Sequence, residues 1–307
     1  MHGKSDSNLV QPLFILGAPR SFTSLICAMV GQHPDNYGVP ELNLFVADSL
    51  KEVWEQMVGL RQIQLHGLLR TVAYLYSGEQ TLASVDMARR WVMLRLERST
   101  AQVYRELCVR VAPLRVVDKS PIYVARYENL MRIHDVFPCA YYLHLLRHPR
   151  TQGESILKVA EGAMAILVNS IDYTTEPPMV DPQIAWCRIQ ENILKFLKII
   201  PDSNKMRLHG EDILNQPNSY LKQICQWLKI SDDNQKIQAM LHPEDSPFAC
   251  LGPIGAHLGN DINFLRSPRF RYQKIPSSTL DGSLSWRRDG GGFNQTTLEL
   301  ATEMGYQ

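Results

Sequence analysis

The stretch that most constrains this chain is Leu13–Ser24. Leu13-Phe-Ile-Leu16 is a continuous apolar run of strand length, Gly17-Ala-Pro-Arg20 interrupts it, and helical spacing (Leu25, Met29, Val30) begins at Ser21. A buried strand that turns tightly into a helix aims backbone N–H groups at whatever lies before the helix, and an anion is favoured there. The hydroxyls of Ser21, Thr23 and Ser24 and the cation of Arg20 surround that point. A nucleoside triphosphatase loop would read GxxxxGK[ST]; here Phe22 takes the small position and Arg20 precedes the hydroxyls. The competing, purely structural reading is a connection capped by Ser21 with Arg20 at the surface.

Further strand candidates are Arg115–Asp118 and Tyr141–Leu146, each followed by a turn and a helical stretch, and Lys205–His209. That alternation predicts an α/β fold with a central parallel sheet flanked by helices. Between Glu41 and Val111 the spacing is helical almost throughout, which predicts a helical insertion, and further helices are expected over Trp186–Ile200, Leu221–Leu228 and Gln295–Met304. Residues 241–285 carry Pro243, Pro247, Gly252, Pro253, Gly255, Gly259 and Pro268, which break every periodicity. A long irregular segment in a compact domain is usually functional, so it reads as a lid or acceptor-binding loop. The whole of 1–307 reads as one domain, with 1–10 as a tag or linker.

Lys and Arg number 32 against 31 Asp and Glu, a formal net charge of +1, so no global field draws the chain to nucleic acid or to an anionic membrane. Any bound anion needs a local site. The six cysteines form no CxxC pair, the N-terminus is polar, and no apolar run reaches the ~18 residues of a membrane span. These features lead us to expect reduced cysteines, mostly in the core, and a cytoplasmic location. No HExxH or His/Cys/Asp/Glu cluster suggests a metal.

Two further segments stand out. Leu145-Leu-Arg147-His-Pro-Arg-Thr-Gln-Gly-Glu-Ser155 places Arg147 at a strand end and Ser155 about two turns into the helix that Pro149 starts, so both can converge on one phosphate. Ser283-Leu-Ser-Trp286-Arg287-Arg288 lies near the C-terminus. With these in order after the first loop, the chain resembles the sulfotransferase superfamily and its P-loop-like fold. Gly17, Ala18, Pro19, Arg20, Ser21, Phe22, Thr23 and Ser24 resemble the loop that holds the 5′-phosphosulfate of 3′-phosphoadenosine 5′-phosphosulfate (PAPS), although Phe22 replaces the usual glycine. The resemblance implies a 3′-phosphate site at Arg147 and Ser155, closed by Trp286 and Arg287, with adenosine 3′,5′-bisphosphate as product and no metal.

Sulfuryl transfer needs a base at the acceptor hydroxyl and cations where charge grows on the leaving phosphate. Glu41, following the first helix in Pro40-Glu-Leu-Asn, is one candidate base; its 21-residue spacing from Arg20 is similar to the Arg-to-Glu spacing of tyrosylprotein-type sulfotransferases. His257, in Gly255-Ala-His-Leu-Gly-Asn-Asp261, is a second, with Asp261 to orient it. Lys119, ending the second long strand, resembles the family lysine at the leaving oxygen, with Arg20 beside it.

The Pro-Glu-Leu-Asn and Gly-Ala-His-Leu-Gly-Asn-Asp segments resemble sulfotransferase domains of bacterial polyketide synthases. That resemblance implies the β-hydroxyl of an acyl chain on a carrier protein as acceptor, ahead of decarboxylative terminal alkene formation, and an acyl carrier protein and neighbouring synthase domains as partners. A free-standing enzyme for a small alcohol, a sugar or tyrosine, and a P-loop kinase, are the alternatives.

Overall fold

The computed structural model describes residues 9–272 and 274–307. Residues 1–8, most of the expected tag or linker, fall outside the described residues. Five strands form one parallel sheet: β1 (Leu13–Leu16), β2 (Asn36–Gly38), β3 (Arg115–Asp118), β4 (Tyr141–Leu146) and β5 (Lys205–His209), in the order β2-β3-β1-β4-β5. A separate antiparallel pair joins Ile171–Asp172 to Met179–Val180.

β1 is apolar throughout because both of its faces are covered. Phe14 and Leu16 point into one core, where Phe14 meets the rings of Phe45, Tyr104, Tyr123, Phe137 and Tyr142. Leu13 and Ile15 point into the other, with Ile26, Met29, Val117 and Leu143. β2 is absent from the sequence reading. Asn36-Tyr-Gly38 is short, with Tyr37 its one strand-forming residue, and pairing with β3 makes it a strand; the first helix packs close on it, since a Cβ on Gly31 would stand 2.5 Å from the Gly38 Cα.

The insertion comprises helices Leu50–Gln56, His66–Ser77, Leu82–Met93 and Thr100–Val111. Ser49 with Glu52, Thr81 with Ser84 and Ser99 with Gln102 form boxes that cap three of them. It begins later than the periodicity suggests, since Glu41–Asn43 are irregular and Asn43 has a φ of 54°. Helices Pro182–Leu197, Pro217–Trp227 and Gln295–Glu303 occupy the expected regions.

The described residues of 241–285 are irregular apart from helix Ile262–Arg266 and a 3-10 turn at Pro243–Asp245, and they are tied to the insertion. The buried Arg70 donates to the Leu258 carbonyl (2.9 Å) and to Gln80 Oε1 (2.5 Å), Gln80 donates to the Pro247 carbonyl, and Arg89 donates to the Gly255 carbonyl. All six cysteines are free; Cys139 and Cys250 are exposed rather than in the core. Among the described residues no helix is long and apolar enough to cross a membrane.

Candidate active site

Because β1, β3 and β4 are parallel, their C-terminal ends deliver Gly17–Ser24, Lys119 and Arg147 to one edge of the sheet, where open α/β sheets bind ligands. The loop after β1 is tightly built. A Cβ on Gly17 would lie 2.7 Å from the Leu145 carbonyl oxygen, and Arg20 (φ 71°) and Phe22 (φ 60°) are left-handed. Phe22 therefore keeps the turn that glycine would make easily. Its ring has room because residue 210 is glycine, where a Cβ would stand 2.6 Å from the ring, and the Arg147 guanidinium covers it at 4.3 Å.

No side chain caps helix Thr23–Gly31, which removes the purely structural reading of Ser21. Ser21 is fully buried and its Oγ has no hydrogen-bond partner, as is true of Oε1 of the neighbouring Gln152, whose amide donates to the Pro19 carbonyl. A buried hydroxyl without a partner beside open helix N–H groups fits a phosphate or sulfate oxygen.

Around this loop the cations form one network. Arg147 Nη1 donates to the Arg20 carbonyl (2.5 Å), and Arg20 Nε donates to Ser155 Oγ (3.2 Å) while its guanidinium pairs with Asp261. Thus Arg20, Arg147 and Ser155, 135 residues apart at the extremes, do come together. Burial lowers the pKa of both arginines, that of Arg147 to about 10, so each is a partly desolvated cation that an anion would stabilise.

Lys119, 2% exposed, is the second node. Its Nζ donates to Glu41 Oε1 (2.5 Å), Ser24 Oγ (2.8 Å) and Asn260 Oδ1 (3.0 Å), which joins the loop, the candidate base and the 241–285 segment at one ammonium. The Glu41 backbone N–H donates to the Gly259 carbonyl (2.8 Å). Here three backbones touch: a Cβ on Gly67 would lie 2.0 Å from the Glu41 carbonyl oxygen, and one on Gly259 would lie 2.7 Å from the Gly67 Cα.

At three of the expected positions the structure shows contacts other than those anticipated. His257 is exposed, and its Nδ1 bonds to the Gly252 carbonyl (2.9 Å) within its own loop. Asp261 does not orient it; that carboxylate pairs with Arg20 and caps helix Ile262–Arg266. His257→Ala is accordingly expected to keep more than about a third of wild-type kcat, where loss of a general base would cost 10²-fold or more; steady-state kinetics decide. Arg287 is engaged by acids, with Nη1 2.8 Å from Asp181 and Nη2 2.6 Å from Asp289, and Trp286 donates to Asp181 (3.0 Å) while packing against Gly153. Both thus brace this corner of the fold, and the Arg287 guanidinium is already held by two carboxylates.

Beside Arg147 lies a cavity of about 360 Å³, lined by Phe22 and Leu25 and by Arg269, Phe270, Arg271 and Lys274. The run Arg269-Phe-Arg271-Tyr with Lys274, basic residues interleaved with aromatics, was the available sequence signal for this wall. Asn260 and Asp261 carried no comparable signal.

Among the described residues no group of His, Cys, Asp and Glu could hold a metal ion. No match was found among curated proteins. The structure is similar to a sulfotransferase domain from the curacin biosynthetic pathway (24% identity, TM-score 0.78, covering 98% of this chain and 99% of that one). It is also similar to a sulfotransferase domain from the Synechococcus PCC 7002 olefin synthase (24% identity, TM-score 0.75, covering 100% and 99%). A model of the sulfotransferase family matches residues 12–234, the span that contains the loop, Glu41, Lys119, Arg147 and Ser155, and so the chain belongs to the sulfotransferase family.

Proposed function

We propose that this protein transfers a sulfuryl group from PAPS to an acceptor hydroxyl, with Glu41 as general base. The observation that carries this reading is the Lys119 ammonium, which holds the Glu41 carboxylate at 2.5 Å and a hydroxyl of the anion loop at 2.8 Å. When bound, PAPS supplies an activated sulfuryl group on a phosphate leaving group. Ser21, Thr23, Ser24 and the helix N–H groups would hold its 5′ end, and Arg147, with the basic wall of Arg269, Arg271 and Lys274, its 3′-phosphate. Glu41 accepts the acceptor's proton, and Lys119 and Arg20 neutralise growing negative charge.

The acceptor we favour is the β-hydroxyl of a carrier-protein-bound acyl chain. Both structural relatives come from biosynthetic assembly systems, the curacin pathway and an olefin synthase. Leu60, Ile63 and Ile254 are exposed apolar residues on two segments joined by the hydrogen bond from Leu258 N–H to His66 Nδ1, which offers an acyl chain apolar surface.

Calorimetry with adenosine 3′,5′-bisphosphate tests the nucleotide. It should bind more tightly than AMP, and Arg147→Ala should weaken it at least tenfold, because a charge-assisted contact contributes about 1.5–3 kcal/mol. Equal affinity for AMP would overturn the assignment. Turnover with PAPS is expected to persist in EDTA, whereas a kinase would need its magnesium back.

A further inference from the structure

Asp118 ends β3 one residue before Lys119 and is 1% exposed. Lys119 spends its three N–H groups elsewhere, so the two residues are not a simple ion pair. Asp118 Oδ1 accepts from the Ser120 hydroxyl (2.9 Å) and Oδ2 from the Tyr123 hydroxyl (3.3 Å). With their protons committed, the two hydroxyl oxygens are left as acceptors, and each takes a backbone N–H: Asn43 to Ser120 Oγ (3.1 Å) and Leu44 to Tyr123 Oη (3.0 Å). Asn43, with its left-handed φ of 54°, stands two residues after Glu41.

We propose that Asp118 is a positioning residue for sulfuryl transfer, an acceptor-only carboxylate that works through Ser120 and Tyr123 to fix the Asn43–Leu44 backbone and thereby aim Glu41 at Lys119. The proposal rests on the reading of Glu41 as base. A neutral amide at 118 could not serve both hydroxyls, because one of them would receive a proton from it and have no acceptor for its own. Burial pushes the Asp118 carboxyl up to about 7, the hydrogen bonds from Ser120 and Tyr123 work the other way, and above that pH the ionised form is the main one. The ionisable groups facing it are Lys119, Tyr104, Tyr123, Cys108 and Cys27. Such a carboxylate is an expensive way to secure a turn, but it gives two backbone N–H groups a fixed direction.

Residue-resolved amide exchange by NMR at pH 8, paired with kinetics and nucleotide calorimetry, tests this on the full chain. Ser120→Ala should lower protection of the Asn43 amide, and Tyr123→Phe that of Leu44, each by about tenfold and with the other amide unchanged. Asp118→Asn should lower both, and should reduce kcat by at least about tenfold with KM and nucleotide affinity within twofold of wild type. Protection unchanged in the two hydroxyl variants overturns the relay even if Asp118→Asn does not fold. Lost protection with unchanged kcat overturns the positioning role. A wild type that fails to bind adenosine 3′,5′-bisphosphate overturns the functional reading instead, and the exchange data still decide whether the relay exists.

Discussion

Glu41→Gln is expected to lower turnover by roughly 10²–10⁴-fold while adenosine 3′,5′-bisphosphate binds as before. The substitution is nearly isosteric, and the glutamine oxygen can still accept from Lys119 Nζ, so the geometry that joins Ser24, Lys119 and Asn260 survives. What disappears is the ability to take a proton from the acceptor. Single-turnover kinetics with preloaded PAPS separate this loss from product release, and a variant within about threefold of wild type would remove Glu41 from the chemistry.

Arg287→Ala should produce the largest loss of stability among the charged positions discussed, about 3–5 kcal/mol, with little effect on nucleotide affinity. Asp181 is 1% exposed and caps helix Pro182–Leu197, and Arg287 is the cation that compensates it, with Trp286 and Gln183 supplying further donors. Truncation leaves a buried carboxylate short of its counter-charge. Asp181→Asn in the same chain should recover part of the loss, because it removes the stranded charge while keeping an oxygen to accept from the helix N-terminus. Chemical denaturation measures the stability and calorimetry the binding. If Arg287→Ala instead keeps its stability and loses nucleotide, the arginine is a phosphate ligand after all.

Legibility in the sequence followed the range of the physics involved. Leu13–Leu16 and Tyr141–Leu146 announced themselves because parallel strands covered on both faces must be apolar throughout. Asn36–Gly38 did not, since what makes it a strand is its pairing with Arg115–Val117, far along the chain. The anion loop was legible as a strand, a turn and a helix, but the room for the Phe22 ring depends on Gly210, which no local pattern connects to it. The same distance hid the buried acid that Arg287 meets, Asp181, 106 residues away, and the amide partner of Lys119, 141 residues away. For His257 the sequence showed a histidine on a glycine-rich segment with an acid four residues on, but not that its ring bonds to the Gly252 carbonyl while Asp261 turns to Arg20.

The contact of Glu41, Gly67 and Gly259 backbones has a consequence for anyone who would alter acceptor scope by exchanging parts. A 241–285 segment transplanted from a relative brings its own contour against helix His66–Ser77. If that contour adds one methyl group at Gly259, the helix and the segment must part, and the Glu41 segment bonded to Gly259 moves with them. Three stretches scattered over more than two hundred residues therefore behave as a single replaceable cassette, and a chimera should carry all three or none.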